Sequence, residues 1–443
     1  MSRRLLMRLA APCAAILALA LAVIGIAPRL ASATPTANPA PRFTTQTRMG
    51  FAAGDDWEPS LTADRYGHLY LLYKHYDVPG QTTCAMCDQH LLLQISSDNG
   101  RTWSAPRPID PEATKGGQFD AQIVVDPVDG RTVWASFLQN NKSSIAVMKS
   151  TDFGATWSGP TIVENLQRAT DKDELAVHGQ TVAVAFNAVQ KIYAAVSHDG
   201  GATWTTSLIS DGSNQLGWSL GGGAAIDSHG NIFFGFAGYT QNGGAKGPVN
   251  LFVAASYDGG ATWSLTLAGV SGAPYPCSNC GFAFLGAQLT LAVGGDDSVN
   301  LLWNATADQT NYAPERIFFA RSTDGGHSYS ARQDVSLAAP GVEHSFPAIT
   351  TGAAGDVRIG WMDLRTGAWN LYYRSSTNGG ASWSGETRIS GYVPGYSYLT
   401  SAGFGLPYGD YFQMAVDSTG ATQIGWGESG SYAGPGNIWT AHN

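Results

Sequence analysis

From about residue 43 onward the chain alternates short apolar runs with polar turns. The segments 58–64 (EPSLTAD), 67–76 (GHLYLLYKHY), 90–98 (HLLLQISSD) and 101–109 (RTWSAPRPI) each present a brief alternating or continuous apolar stretch bounded by Gly, Asp, Ser or Pro. That pattern predicts four short antiparallel strands, A to D, rather than helices. Comparable groups begin near Phe119, Lys172, Gly217, Phe282, His344 and Phe404, so seven A-strand segments are expected in all.

One eight-residue pattern, S-x-D-x-G-x-[TS]-W, punctuates these groups six times: at 96–103, 150–157, 197–204, 256–263, 322–329 (with Tyr329 in place of Trp) and 376–383 (with Asn378 in place of Asp). Repetition at roughly the length of one four-stranded blade is the mark of a β-propeller. The pattern describes a tight hairpin turn, in which Asp accepts from backbone N–H groups, Gly takes a left-handed φ and the aromatic ring packs back into the blade. Its aspartates and Trp103, Trp157, Trp204, Trp263 and Trp383 are therefore structural. The last group supplies only 411–417, 421–428 and 436–443, while 42–51 (RFTTQTRMGF) has no partner of its own. Using that N-terminal segment as the missing outer strand closes a seven-bladed ring without free sheet edges; a six-bladed ring is the alternative.

In an antiparallel blade the repeats, as C–D turns, all lie on one rim. The opposite rim carries the long connections 74–90, 239–248, 274–284, 304–315 and 397–410, where binding residues on a rigid scaffold are expected. Ionisable groups at the starts of the A strands point there. Asp56, Glu58, Asp120, Asp173, Glu174 and Asp410, with Tyr411, are the catalytic candidates, because paired carboxyls of unequal pKa are what glycoside hydrolysis needs. Glu343, His344, Asp363 and Arg365 are substrate-binding candidates, as are Trp57, Trp218 and Trp369, whose rings could stack on a sugar face.

The first residues alter the picture of where this happens. Arg3, Arg4 and Arg8 precede an apolar run from Leu9 to Ala27 that ends in Ala31-Ser32-Ala33, which predicts a secretory signal peptide over residues 1–33. Residues 34–42 are Pro-, Ala- and Thr-rich and are expected to be a linker, leaving 43–443 as a single propeller domain. The formal net charge is −9, and cleavage removes only arginines, so the mature chain is more acidic still. That disfavours nucleic acid as a partner and shows no patch for an anionic membrane; a monomer acting on an extracellular glycan is expected. The mature chain holds two C-x-x-C motifs, Cys84/Cys87 and Cys277/Cys280, neither followed by His. An exported protein favours disulfides, within or between the motifs. A four-thiolate zinc site, with His90 as a substitute ligand, and carboxylate-bound calcium are the alternatives, and no cofactor is required.

The six repeats resemble those of the sialidase and BNR-repeat superfamily, over nearly all of the mature chain. The resemblance implies a propeller and a glycan-directed role, since the superfamily contains hydrolases of several glycans as well as members without hydrolysis. Sialidases carry Arg-Ile-Pro on the first inner strand, its arginine holding the sugar carboxylate. Here the matching residues are Trp57-Glu58-Pro59, and a glutamate there repels a sialic acid carboxylate. The Tyr-Glu nucleophile pair and acid-base Asp of sialidases would fall on Tyr411, Glu174 and Asp56. Sialidases are six-bladed by habit, against the seven counted here.

Overall fold

The computed structural model describes residues 39–443 apart from 78–81, 85–86, 112–115, 166–170, 189, 214, 243, 275–285, 368, 392–398, 401–402, 405–408 and 430–435. Cys277, Cys280, the leader (1–33) and most of the linker lie outside the described residues. Among those described there is no helix, and the strands form seven four-stranded antiparallel sheets plus a two-stranded ribbon.

The inner strands, in blade order, are Asp55–Ala63, Phe119–Val125, Asp171–His178, Ser219–Ile226, Leu289–Val293, His344–Thr351 and Gln413–Val416. Each packs against the next, and the last returns to the first, so the ring is a closed seven-bladed propeller. Closure is made as the sequence suggests. Thr47–Arg48 pairs with Gly436–His442 as the outer strand of blade seven, and Met49, buried beside Leu61, Leu71 and Ile438, pins the junction through its N–H to the Ile438 carbonyl (2.8 Å). Two inner strands start later than their apolar patterns suggest. Blade five begins at Leu289 rather than near Phe282, and Gly403–Phe404 pairs with Leu399–Thr400 in the small ribbon while blade seven begins at Gln413.

The hydrophobic side chains pack mainly between neighbouring blades. Leu289, Leu291, Trp303 and Phe318 of blade five meet Phe233, Leu251 and Val253 of blade four, and Phe346, Trp369 and Tyr373 of blade six meet Phe412, Met414 and Trp426 of blade seven. Such interdigitation fixes the rotation between blades, and with it the geometry of whatever the inner strands carry.

The repeats fold as their composition requires. In the first, the Asp98 carboxylate accepts from the Thr102 N–H (2.8 Å) and hydroxyl (2.6 Å), and Gly100 takes φ +82° while its N–H reaches Ser96 Oγ (2.8 Å). The same bonds recur at Asp152, Asp199, Asp258 and Asp324. At Asn378 the side-chain amide donates to Ser382 Oγ instead (2.9 Å), so the turn survives with its donor reversed. Accepting these bonds holds the Asp98 carboxyl down at about 2. These turns share a rim with the A–B turns, as the Asn99 N–H to Gly67 carbonyl bond shows (2.9 Å), and the inner strands begin on the other rim.

If the N-terminal strand closes the ring, shortening its buried anchor destabilises the whole domain. Met49→Ala is expected to cost about 2–4 kcal/mol in urea unfolding, against about 0.5 kcal/mol or less for the neighbouring exposed Thr47→Ala. Equal effects would contradict closure by this segment.

Candidate active site

Each inner strand of blades one, two, three and six is interrupted near its start by a bulge, where two residues face one on the neighbouring strand. The first bulge residue adopts a left-handed backbone: Glu58 (φ 55°), Asp120 (φ 51°), Lys172 (φ 51°) and Phe346 (φ 54°). A non-glycine residue in that region is strained and re-aims its side chain. In three consecutive blades the re-aimed residue is charged, and the three charges meet at the mouth of the channel.

Lys172 is the hub. Its ammonium pairs with Asp410, at the entry to blade seven, and stands 3.9 Å from Asp120 and 4.8 Å from the Tyr411 ring centre. Its backbone N–H donates to Asp120 (3.0 Å). The Gln288 amide holds the Asp410 carbonyl (3.2 Å), and Glu58 packs against Gly409, where a β-carbon would come within 2.5 Å of Glu58 Cγ. Lys142 joins the outer edge, bonded to Asp171 (2.8 Å) and 4.0 Å from Asp120. Beneath Lys172 the channel forms a cavity of about 390 Å³, on which Lys172, Glu174, Asp410, Gln122, Gln288 and Gln413 all open.

This arrangement pulls the carboxyls apart in acidity. Burial pushes Glu58 well up, only partly opposed by Lys172. Burial also pushes Glu174 up to about 8 and Asp171 to about 6. For Asp120 burial acts in the same direction, but Lys142, Lys172 and its hydrogen bonds overturn it and hold the carboxyl ionised, well below its usual range. Carboxyls of raised and lowered pKa therefore stand side by side, which is the precondition for general acid–base chemistry.

Of the residues expected from sequence to act here, Glu58, Asp120, Glu174, Asp410 and Tyr411 are brought together. Asp56 is not among them. It is fully buried on the other side of its strand and bonds His75 (2.6 Å), whose other nitrogen reaches Thr83 (2.9 Å). Asp173 turns into the blade, where the Ser136 hydroxyl donates to it (2.5 Å). Trp57 lies half-buried and stacked on Tyr76 (5.1 Å), and Trp218 is half-buried against the blade four and five core. Trp369 is 1% exposed inside the blade six core and offers no ring to a sugar. His344, buried between Ser336 Oγ (2.7 Å) and the Glu315 carbonyl (2.9 Å), is pushed down to about 4 by burial. Asp363 is bound to Arg365 (2.5 Å), which also pairs with Glu386 and covers the Tyr372 ring. The last three form a structural network in blade six. Glu343 accepts from the Glu315 N–H (3.1 Å).

Three residues escaped the sequence reading: Lys172, Lys142 and Asp171. The alignable starts WEPS, FDAQ and DKDE put Glu58, Asp120 and Lys172 at one position, the signal that places the lysine with the two acids. Cys84 and Cys87 are disulfide-bonded to each other, the pairing within one motif; Cys277 and Cys280 lie outside the described residues. Among the described residues no group of three or more His, Cys, Asp or Glu is arranged to hold a metal ion.

The family model of the BNR repeat-like domain matches residues 40–277, just over half of the chain. No curated protein matches it in sequence. Among solved structures, a protein of unknown function from Dyadobacter fermentans DSM 18053 superposes with a TM-score of 0.52 at 13% identity, covering 90% of this chain and 98% of that one. An ulvan lyase of polysaccharide lyase family PL25 gives 0.50 at 10% identity, over 89% and 95%. The Hadza microbial sialidase Hz136 gives 0.44 at 15%, over 87% of this chain and 65% of that one. At these identities the likeness is one of fold.

Buried carboxyls with raised pKa make stability depend on pH. Glu428, which accepts from the Trp426 indole (3.0 Å), is pushed up to about 8 by burial. The native state keeps this proton where the unfolded chain releases it, so its contribution is full below about pH 4.5 and is lost as pH rises towards 8. Glu428→Gln is expected to gain thermal stability relative to the parent between about pH 5 and pH 8. A constant difference across that window would show that Glu428 ionises normally.

Proposed function

The chain belongs to the BNR repeat-like family, and from that membership we propose that it is an exported, glycan-directed propeller that hydrolyses glycosidic bonds at the channel mouth around Lys172. One observation carries this reading: Glu58 and Asp120, at equivalent bulge positions of adjacent blades beside a common lysine, are shifted in opposite directions, Glu58 up by burial and Asp120 down by Lys142 and Lys172. Glu58 is the proton donor to the leaving oxygen, and Asp120 is the ionised partner that activates water or stabilises the developing positive charge on the sugar. Lys172 and Lys142 keep Asp120 ionised; Asp410 and Tyr411 shape the opening. An exported protein is supported by the leader-like sequence of residues 1–33 and by the paired Cys84 and Cys87.

A purely adhesive propeller would leave the rim carboxyls scattered, and the convergence of five of the candidates supports catalysis over binding alone. Sialic acid is disfavoured as the substrate, because Trp57 stands at the place of the sialidase arginine and the acid Glu58 follows it.

Incubation with a panel of defined neutral, acidic and amino-sugar oligosaccharides is expected to release new reducing ends from at least one. On that substrate Glu58→Gln and Asp120→Asn should each lower kcat by about 100-fold or more. The wild-type rate should fall as pH rises through the raised pKa of Glu58, and that limb should vanish in Glu58→Gln. Binding without product across the panel would overturn the hydrolase reading in favour of an adhesive one.

A further inference from the structure

Glu174 takes no part in the reaction assigned above. It sits one blade beyond Asp120, is 8% exposed, and lines the cavity beneath Lys172. Among the described residues none donates a hydrogen bond to its carboxyl, and the charges acting on it are those of Lys172, Asp120 and Asp410. Beside it the inner strand of blade four presents Gly221, where a β-carbon would approach Glu174 Cγ to 3.0 Å, so the wall there carries no side chain that could partner the acid. A buried carboxyl left without a partner is costly, and such a group facing a cavity is satisfied by what enters it.

The surroundings indicate the sign of that occupant. Five carboxyls, Glu58, Asp120, Asp171, Glu174 and Asp410, crowd around two ammonium groups, those of Lys142 and Lys172. Both ammoniums lie over aromatic rings, Lys172 over Tyr411 and Lys142 over Phe119 (5.3 Å). The pKa of each is raised although burial acts to lower it. A third amine, Lys74, sits between the Tyr76 and Phe119 rings and is pushed down to about 7 by burial. Lys172 pairs with Asp410 and Lys142 with Asp171, which leaves Glu174 as the carboxyl with no cation of its own, placed to receive a further cation and to oppose an anion.

We propose that the cavity selects an amine-bearing sugar, a glucosamine-type residue of the glycan, whose ammonium is received by the Glu174 carboxylate. This rests on the glycan-directed reading above and names its substrate class. The volume of about 390 Å³ suits a small-ligand pocket, and around it Gln122 and Gln288 each keep one amide group, beyond their bonds with Gln413 (3.0 Å) and the Asp410 carbonyl (3.2 Å), for a sugar hydroxyl. Glu174 is a specificity-determining residue: arrival of the ammonium supplies the opposite charge that its burial otherwise denies it.

The test is calorimetric titration of the full chain at pH 6 with a glucosamine hexasaccharide, its fully N-acetylated counterpart and a glucuronate-containing hexasaccharide. The amine form is expected to bind about tenfold or more tightly than the acetylated form, and the acidic form most weakly. Glu174→Gln, which keeps the shape and removes the charge, should shrink that preference to about threefold or less with thermal unfolding no less stable than the parent. Equal or tighter binding of the acetylated or acidic sugar overturns the amine selection while leaving the glycan reading intact. Absence of binding to all three overturns both. The wild-type comparison decides the matter even if the variant does not fold.

Discussion

The ammonium of Lys172 is buried between the carboxylates of Asp410 and Asp120, and it ties blade three to blade seven across the opening of the ring. A buried ion pair is a poor source of net stability, because desolvating both charges offsets most of their attraction, yet removing one partner strands the other. Such a pair is informative for what it does to its neighbours. With Lys142 and Lys172 in place Asp120 is held well below its usual range, while burial pushes Glu58, packed against Gly409, up in spite of Lys172. Without it, five carboxyls would share one mouth with only Lys142 to balance them, and all would be driven towards the neutral form.

The scaffold makes this crowding tolerable. Six hairpin turns fasten the far rim through short local bonds of Asp or Asn to Thr or Ser, and the interblade cores set the rotation of each inner strand. The near rim is then free to hold strain. The left-handed residues at the bulges would be unfavourable in isolation. They persist because the strand on either side is held by a blade on each flank, and the bulge turns a charged side chain out of the regular alternation and towards the channel.

This division explains what could be read from sequence. The turns were legible because Ser, Asp, Gly and Trp lie within eight residues and each has a local reason to be there. The seventh blade followed from counting, with the segment around Met49 as the piece left over. Legibility failed where position depends on distant chain. Trp369 resembles an exposed loop aromatic until Phe346 and Phe412 close over it. Asp56 and Glu58 are two residues apart, yet the bulge sends one to His75 and the other to Lys172. Phe404 lies in a Gly- and Tyr-rich stretch that reads as an inner strand, but pairs instead in a two-stranded ribbon. Lys172 is hard to read from sequence as part of a site for acid–base chemistry, yet with Lys142 it holds Asp120 ionised against its burial.

The central claim is that carboxyls gathered around one lysine are held at different acidities, and side-chain carboxyl resonances test that claim directly. In protein carrying carbon-13 at the glutamate and aspartate carboxyls, the signal lost in Glu174→Gln should titrate near pH 8, and that lost in Asp120→Asn should remain ionised well below the usual aspartate range. Both signals titrating near pH 4 would contradict the account.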